Sequence, residues 1–415
     1  MPSFNYRMVA SILHDEKALS RALAPYLAAL ERIGGKRSQS GSEVTPFIFV
    51  ATGGTEGRVL THWLQQRTDY AHLPVFLIAH PGHNSLPAAL EIRAYLLQQG
   101  VPGRIYYLAS PDDTAGLKAI MEGAQMVKAW SALQESRIGL VGDPSDWLIA
   151  SRPRPIAVHQ TWGVEVVPVA LERIYKRMQR IGSDETYASV EELVAQAEEV
   201  VEPSREALEQ VVKVYLALQE IVQRERLEAL SLRCFDLVIK LKTTGCYALS
   251  RLLDEGIIAG CEGDIVSTLG MLWAYLYLER LPWMGNPARL DVANNHLWMA
   301  HCTVPRRLTE GYRIRSHFES GLGVGIQGEM KRGEVTLFRL GGEELRQLWV
   351  AEGEIVQTGR EEDLCRTQVE IALTRGKVEE LLEHPLGNHL VLVHGHHAER
   401  LLTWWRTFIA KDGQG

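Results

Sequence analysis

The sequence has few cysteines and no pattern that pairs them. Five cysteines are spread over 415 residues at wide spacings, and no CxxC pair occurs. An odd number at such spacings disfavours both a disulfide framework and a structural zinc site. The N-terminal stretch MPSFNYRMVASILHDEK also lacks the basic start and apolar core of a signal peptide. We therefore expect a cytoplasmic protein with reduced thiols.

Basic runs and long hydrophobic runs are also missing. The formal net charge is −7, and no cluster of lysine or arginine interrupts it. This charge pattern disfavours nucleic acid and an anionic membrane surface as partners. The most apolar stretch, residues 265–281, contains Ser267, Thr268 and Gly270. It is short and partly polar for a membrane span, so a buried helix is the better interpretation.

Strand-like and helical patterns alternate over the first third of the chain. PFIFVATGG precedes EGRVLTHWLQQ, and PVFLIAHPGHN precedes LPAALEIRAYLLQQG. The alternation resumes at RIGLVGDPSDWLIAS and continues to GIIAGC and the apolar helix that follows. Such switching between the two periods is typical of βαβ units with a parallel sheet. It predicts two α/β domains of Rossmann or flavodoxin-like type, at residues 1–135 and 136–296.

The last part of the chain, residues 297–415, has a different pattern. HLWMAHCTVP, GYRIRSHFES, GEVTLFRLGG and LRQLWVAEGEIVQT are short strand-like runs separated by glycine-containing turns. Runs of this kind predict a mainly antiparallel domain, and we expect it to resemble a β-barrel.

Polar and charged side chains occupy the turns that follow the predicted strands. In open α/β sheets, ligands bind outside the carboxyl ends of the strands. We therefore expect a ligand site near these turns, which lie at residues 52–57, 80–84, 143–147, 235–236 and 261–264.

Each of these turns also has a structural interpretation. Glu262 and Asp264 are positioned to neutralise the positive end of the following helix. The segment TGGTEG is suited to capping a helix or to holding a phosphate, although it lacks the P-loop lysine and the spaced GxGxxG. His83 is suited to an exposed strand end as well as to a ligand.

Four histidines lie close together near the C-terminus. They are His389, His394, His396 and His397. His389 and His394 face opposite sides of a continuous strand, so one metal ion cannot bind all four without a turn. Acidic residues with one imidazole suit Mn²⁺ or Mg²⁺ better than a tetrahedral zinc site.

Taken in order, these segments resemble the L-fucose isomerase/L-arabinose isomerase superfamily, in particular its short fucose isomerase-like branch. The resemblance is carried by FIFVATGGTEG, HPGHNSLPAALEIRAYL, LRCFDLVIKLKTTGCYALSRLLDEGIIAGCEGD, GNPARLD, AHCTVP and GNHLVLVHGHH. It implies two α/β domains before a barrel-like domain, and an aldose–ketose isomerase that uses Mn²⁺, Mg²⁺ or Co²⁺. It also implies a homo-oligomer, a trimer or hexamer, in which one subunit's N-terminal domain caps a neighbour's site.

The resemblance further implies a metal site made of two acids and a histidine. Asp264 matches the family's aspartate in an acidic turn before an apolar helix, and His389 matches its histidine in an Asn-His strand. Asp236 stands where the family has a glutamate, so this chain departs from the pattern there. By the same resemblance, Asp236 and Asp264 are also the expected catalytic residues.

An aldose–ketose isomerase moves a proton between C1 and C2 of its sugar. A metal stabilises the enediol, and carboxylates carry the proton. We expect a small sugar as substrate, either a pentose or a 6-deoxyhexose. The alternatives are a carbohydrate-binding protein without activity, and a metal-dependent epimerase or lyase on a sugar or sugar acid. The expected substrate-binding residues are Glu56, His83, Asn84, Glu262, Arg233, Asn286 and His301.

Overall fold

The computed structural model describes residues 3–38, 45–70 and 73–410, which form two compact units. The first unit comprises Met1–Ser131 and Thr403–Gly415, and the second comprises Ala132–Leu402. The division into domains at residues 1–135, 136–296 and 297–415 stays a prediction.

The first unit is built around a five-stranded parallel sheet with the strand order β2-β1-β3-β4-β5. Its elements are β1 (Phe4–Val9), α1 (Glu16–Ala22), α2 (Ala24–Arg32), β2 (Gly35–Arg37), β3 (Phe47–Val50), α3 (Glu56–Tyr70), β4 (Val75–Ala79), α4 (Ser85–Gln98), β5 (Gly103–Tyr107) and α5 (Thr114–Glu135), the last of which extends into the second unit. The central strands β3 and β4 are apolar and buried at every position. Such strands are covered on both faces, as in parallel sheets generally.

The second unit begins with a four-stranded parallel sheet in the order β10-β9-β6-β7. Its elements are β6 (Arg137–Val141), α6 (Pro155–Trp162), β7 (Glu165–Val169), α7 (Glu172–Met178), α8 (Ser183–Gln196), β8 (Glu199–Val200), α9 (Arg205–Glu225), β9 (Ala229–Leu232), α10 (Phe235–Leu241), α11 (Cys246–Asp254), β10 (Ile258–Cys261) and α12 (Ile265–Leu278). The short strand β8 pairs outside this sheet.

A closed barrel of six antiparallel strands follows, in the order β11-β12-β17-β16-β15-β18. The remaining elements are β11 (Trp283–Asp291), β12 (His296–His301), a 3₁₀ turn (Arg306–Leu308), β13 (Thr309–Arg315), β14 (Gly325–Met330), β15 (Gly333–Gly341), β16 (Gln347–Gly359), β17 (Thr367–Arg375), α13 (Glu380–Glu383), β18 (Leu390–His394) and α14 (Ala398–Phe408). Strands β14, β13 and β8 form a separate small sheet. The predicted fold class, parallel sheets followed by a mainly antiparallel barrel, is confirmed.

Helix α12 connects the parallel sheet of the second unit with the barrel. It packs against β9 and β10 on one side and against β15 and β18 on the other. Almost every residue of the helix is buried, which explains why it is apolar on all faces. The predicted buried helix is therefore present. Among the described residues, no helix combines the length and the apolar character that crossing a bilayer requires.

Helix α3 of the first unit carries a buried histidine, His62. Arg7 Nη1 donates to Nδ1 of His62 at 2.7 Å, and Nε2 lies 2.7 Å from Thr45 Oγ1. Burial, with a smaller effect of the Arg7 charge, lowers the pKa of His62 to about 4. The folded protein therefore keeps this side chain neutral.

This histidine should make the first unit sensitive to acid. The unfolded chain takes up the proton at about pH 6.5, so the stabilisation exists above that pH and is lost as pH falls towards about 4. The loss should reach about 3 kcal/mol. Melting temperatures at about pH 7 and about pH 5 should differ less for His62→Gln than for the parent.

The exposed His384 offers a matched control. His384→Gln should leave the pH dependence of the melting temperature unchanged. A parent-like acid dependence in His62→Gln would contradict the assignment.

Candidate active site

A chamber of about 350 Å³ lies in the second unit, between the carboxyl ends of β9 and β10 and the barrel. Its lining comprises two carboxylates, two imidazoles, two carboxamides, three aromatic side chains and five thiols. The volume and this mixture of polar and aromatic groups suit a small polar ligand.

Three buried side chains converge beside the chamber, and two of them, Glu262 and His301, belong to its lining. One ligand atom each from Glu262, His301 and His389 lies within 4.8 Å of the other two. Glu262 follows β10, His301 is the last residue of β12, and His389 directly precedes β18. The end of a parallel strand and the ends of two barrel strands therefore meet at this point. We call these three residues the triad.

The turn that carries Glu262 has a strained backbone. Glu262 adopts a φ of +63°, in the left-handed region that non-glycine residues rarely occupy. The next residue, Gly263, has a φ of +71°, and a Cβ there would lie 2.7 Å from Cα of Pro144. Strain of this kind costs on the order of 1–3 kcal/mol and is found mainly at functional sites. Here it directs the Glu262 carboxylate into the chamber.

Trp147 holds one oxygen of that carboxylate. Its indole Nε1 donates to Glu262 Oε2 at 2.6 Å, while the indole ring is 50% exposed and packs edge-on against Phe235. The other carboxylate oxygen, Oε1, lies 3.5 Å from His389 Nε2. Burial opposes ionisation of Glu262, but His389 outweighs it and keeps the pKa of Glu262 below its usual value.

His389 is fully buried and is held through its other nitrogen. Nδ1 lies 2.9 Å from Asp264 Oδ2. Nε2 has no hydrogen-bond partner within the described part of the chain, although it is buried. Burial lowers the pKa of His389, but the hydrogen bond to Asp264 and the nearby negative charge of Glu262 outweigh this effect and raise the pKa to about 9. A buried polar nitrogen without a partner, directed at a carboxylate, is what a metal ligand needs.

Asp264 lies behind His389, and protein donors occupy both of its oxygens. Oδ1 accepts from Ser267 N at 2.8 Å, which caps helix α12. Oδ2 accepts from Ser267 Oγ at 2.8 Å and from Arg339 Nη1 at 3.1 Å. Burial opposes ionisation, but the Arg339 charge and the His389 bond hold the pKa of Asp264 below its usual range. Asp264 thus caps helix α12, as the structural interpretation predicts, and its role as a metal ligand stays a prediction.

The structure places Asp236 away from the triad. Its carboxylate pairs with Arg233 Nε at 2.8 Å and with Lys240 Nζ at 3.3 Å. Asp236 and Arg233 line a neighbouring cleft of about 910 Å³ instead of the chamber. The predicted set of Asp236, Asp264 and His389 thus does not surround one point as the triad does. The roles of Asp236, Asp264 and His389 as metal ligands, and of the two aspartates as catalytic residues, stay predictions.

The other expected substrate contacts divide between the two units. Asn286 and His301 line the chamber, as does Glu262. His301 Nδ1 lies 2.7 Å from Thr303 Oγ1, and burial, with the nearby His389, lowers the pKa of His301 to about 4. A neutral His301 can offer Nε2 to a cation when its Nδ1 carries the proton and donates to Thr303 Oγ1.

Glu56, His83 and Asn84 lie in the first unit. Glu56 is the first residue of α3, and His83 and Asn84 form a left-handed turn before α4, with φ values of +55° and +54°. Two consecutive non-glycine residues in this region are uncommon. The substrate-binding role of these three residues stays a prediction.

Sequence reasoning missed Trp147 and Arg339. Trp147 stands in one of the turns that follow a predicted strand. Arg339 interrupts the apolar strand GEVTLFRLGG, and it is 1% exposed. A cation within a buried strand is a sequence signal for a buried acidic partner, although the sequence does not name that partner.

No family model matches the chain. It is 26% identical over 302 residues to a sulfoquinovose isomerase of Alkalicoccus urumqiensis. The aligned region covers 70% of this chain and 67% of that protein. A sulfoquinovose isomerase of Priestia aryabhattai is 24% identical over 309 residues, 72% of this chain and 68% of that protein. A sulfoquinovose isomerase of Clostridium sp. (strain MSTE9) is 23% identical over 268 residues, which are 62% of this chain and 59% of that protein. The chain is thus similar to proteins named as sugar isomerases.

The stability of the folded protein should depend on both charges of the Asp264–Arg339 pair. Asp264→Asn keeps a capping oxygen but leaves the buried Arg339 without its counter-ion. Breaking one side of a buried pair costs about 3–5 kcal/mol. We expect Asp264→Asn to lower the free energy of unfolding by about this amount in denaturant titrations.

The double variant Asp264→Asn/Arg339→Met is the matched control. It removes both charges and should recover part of the stability that the single variant loses. If Asp264→Asn were as stable as the parent, the result would contradict a stabilising ion pair between Asp264 and Arg339.

Proposed function

We propose that the protein is a metal-dependent aldose–ketose isomerase that acts on a sugar through an enediol. The observation that carries this proposal is the buried triad, in which His389 Nε2 lacks a hydrogen-bond partner among the described residues and faces Glu262. The similarity to proteins named sulfoquinovose isomerase supports the same reaction class. The assignment to the fucose isomerase-like branch rests on the resemblance of the sequence segments.

The donor set of the triad fits a divalent cation. One carboxylate and two imidazoles suit Mn²⁺ or Co²⁺ better than Mg²⁺, which prefers oxygen ligands alone. We propose that Glu262, His301 and His389 hold the ion, with Asp264 fixing the orientation of His389 through Nδ1. When bound, such an ion acts as a Lewis acid for the two sugar oxygens between which the carbonyl moves.

We assign the proton transfer to Glu262. Its carboxylate is ionised at neutral pH, lines the chamber and is held in one orientation by Trp147. A carboxylate in this position is able to take the proton from C2 and return it to C1 on the same face of the enediol. Asp236 and Asp264, the predicted proton carriers, are engaged by arginine in the structure and are less suited to this step.

The aromatic side chains of the chamber provide a surface for the sugar. Trp147, Phe235 and Phe318 line it, and Asn286 and Asn388 offer hydrogen bonds to hydroxyl groups. We propose a pentose, a 6-deoxyhexose or sulfoquinovose as the substrate to test, the last because the relatives are named for it. We further propose a trimer or hexamer in which Glu56, His83 and Asn84 reach a neighbouring subunit's chamber.

The two possible ligand sets predict different metal contents. Glu262→Gln, His301→Ala and His389→Ala should each lose bound Mn²⁺ or Co²⁺, whereas Asp236→Asn should keep it, because Asp236 is paired with Arg233 and Lys240. Metal analysis after dialysis against the free ion measures this directly. If the Asp236→Asn variant instead loses as much metal as the His389→Ala variant, the result would support the ligand set predicted from the sequence.

Activity is tested by ketose formation from the three kinds of sugar, with and without Mn²⁺. Glu262→Gln should lower the rate by at least about 10²–10⁴-fold, the usual effect of losing an acid–base group, because it also removes a proposed metal ligand. Glu319→Gln, a change of the other chamber carboxylate, should lower it far less. Sugar binding without turnover, under all these conditions, would support the carbohydrate-binding alternative.

A further inference from the structure

The cysteines of the chain are concentrated at the chamber. All five line it: Cys234, Cys246, Cys261, Cys302 and Cys365. They come from separate parts of the sequence and meet only in the folded second unit. Two of them are sequence neighbours of the triad, since Cys261 precedes Glu262 and Cys302 follows His301.

Two of these thiols are in direct contact. Cys234 Sγ and Cys261 Sγ lie 3.1 Å apart, and both residues are buried. Cys261 ends β10, and Cys234 follows β9, the adjacent parallel strand. A disulfide has an S–S bond of about 2.05 Å, so bond formation requires the two sulfurs to approach by about 1 Å. The surrounding strands already bring the two residues side by side.

We propose that Cys234 and Cys261 are an oxidisable pair that forms a reversible disulfide when a peroxide enters the chamber. One thiolate attacks the peroxide and becomes a sulfenic acid, and the peroxide is released as an alcohol or water. The second thiol then attacks the sulfenic sulfur, and water leaves as the S–S bond forms. Two thiols are thereby oxidised by two electrons, and one peroxide is reduced.

The chamber provides the route for the oxidant. Both sulfurs belong to its lining, so a small peroxide that enters the chamber meets them although the residues are buried. The other three cysteines line the same chamber, where Cys302 interacts with both Cys246 and Cys365, and they form a group separate from the 3.1 Å contact between Cys234 and Cys261. We expect the Cys234–Cys261 disulfide to be the main product, because these two sulfurs are already 3.1 Å apart in the folded protein.

The disulfide should also affect the triad. Cys261 is bonded directly to Glu262, whose backbone is already in the left-handed region. Movement of the Cys261 side chain towards Cys234 would shift the strained turn and with it the Glu262 carboxylate. If the proposed isomerase activity holds, oxidation should lower it at least about tenfold, and dithiothreitol should restore it.

Peptide mapping tests the pair without any activity assay, so its outcome is independent of the proposed function. The purified full-length protein is treated with hydrogen peroxide, the remaining thiols are blocked, and the protein is digested with trypsin without reduction. Lys240, Lys242 and Arg251 lie between the two cysteines, so cleavage separates them unless a disulfide joins their peptides. We expect a linked Cys234–Cys261 peptide that dithiothreitol releases.

Two variants serve as controls for the mapping. Cys234→Ser should abolish the linked peptide, and Cys302→Ser should keep it. Links mainly among Cys246, Cys302 and Cys365, or five unmodified thiols after treatment, would overturn the proposal. A fully formed Cys234–Cys261 link with unchanged turnover would confirm the pair and overturn its effect on the triad.

Discussion

The buried ion pair between Asp264 and Arg339 is the interaction on which the chamber depends. Asp264 lies in the turn between β10 and α12, and Arg339 lies in barrel strand β15. Two charges are removed from water here, which costs several kcal/mol per ion unless their remaining hydrogen bonds are satisfied. Ser267, Ser151 and His389 supply those bonds. The pair therefore fixes the position of the parallel sheet's turn relative to the barrel.

This arrangement explains why acidic residues stand at the joint before an apolar helix. Helix α12 is covered by the sheet on one side and by the barrel on the other, so its first turn has no access to water. Its backbone N–H groups need an internal acceptor, which Asp264 provides. The same carboxylate orients His389, so one residue serves both the stability of the fold and the geometry of the site.

The pKa values of the two histidines of the triad are shifted in opposite directions, and each shift has a physical cause. His301 has no acidic partner within hydrogen-bonding distance among the described residues, and burial keeps it neutral. His389 contacts two carboxylates, which raise its pKa despite complete burial. A divalent cation bound at the triad would displace the proton from His389. The cation would then balance the negative charge of Glu262, as the proton does without it. Under the proposed function, the metal ion would therefore take the place of a proton at His389.

The sequence by itself determined the fold class and part of the chamber. Periodicity within single segments was sufficient to predict the parallel strands, the buried helix α12 and the antiparallel barrel, because burial of each strand or helix is recorded in its own residues. Glu262, Asn286, His301 and His389 were also named as site residues from the sequence, because they lie in the segments that resemble the fucose isomerase-like proteins. The tertiary structure decided which acid faces the chamber: Glu262 lines it where the turn after β10 meets the barrel, whereas Asp236, paired with its sequence neighbours Arg233 and Lys240, lines another cleft. It also decided the contacts of Trp147, Arg339 and the five cysteines, because side chains far apart in sequence meet only when sheet, helix and barrel have packed together.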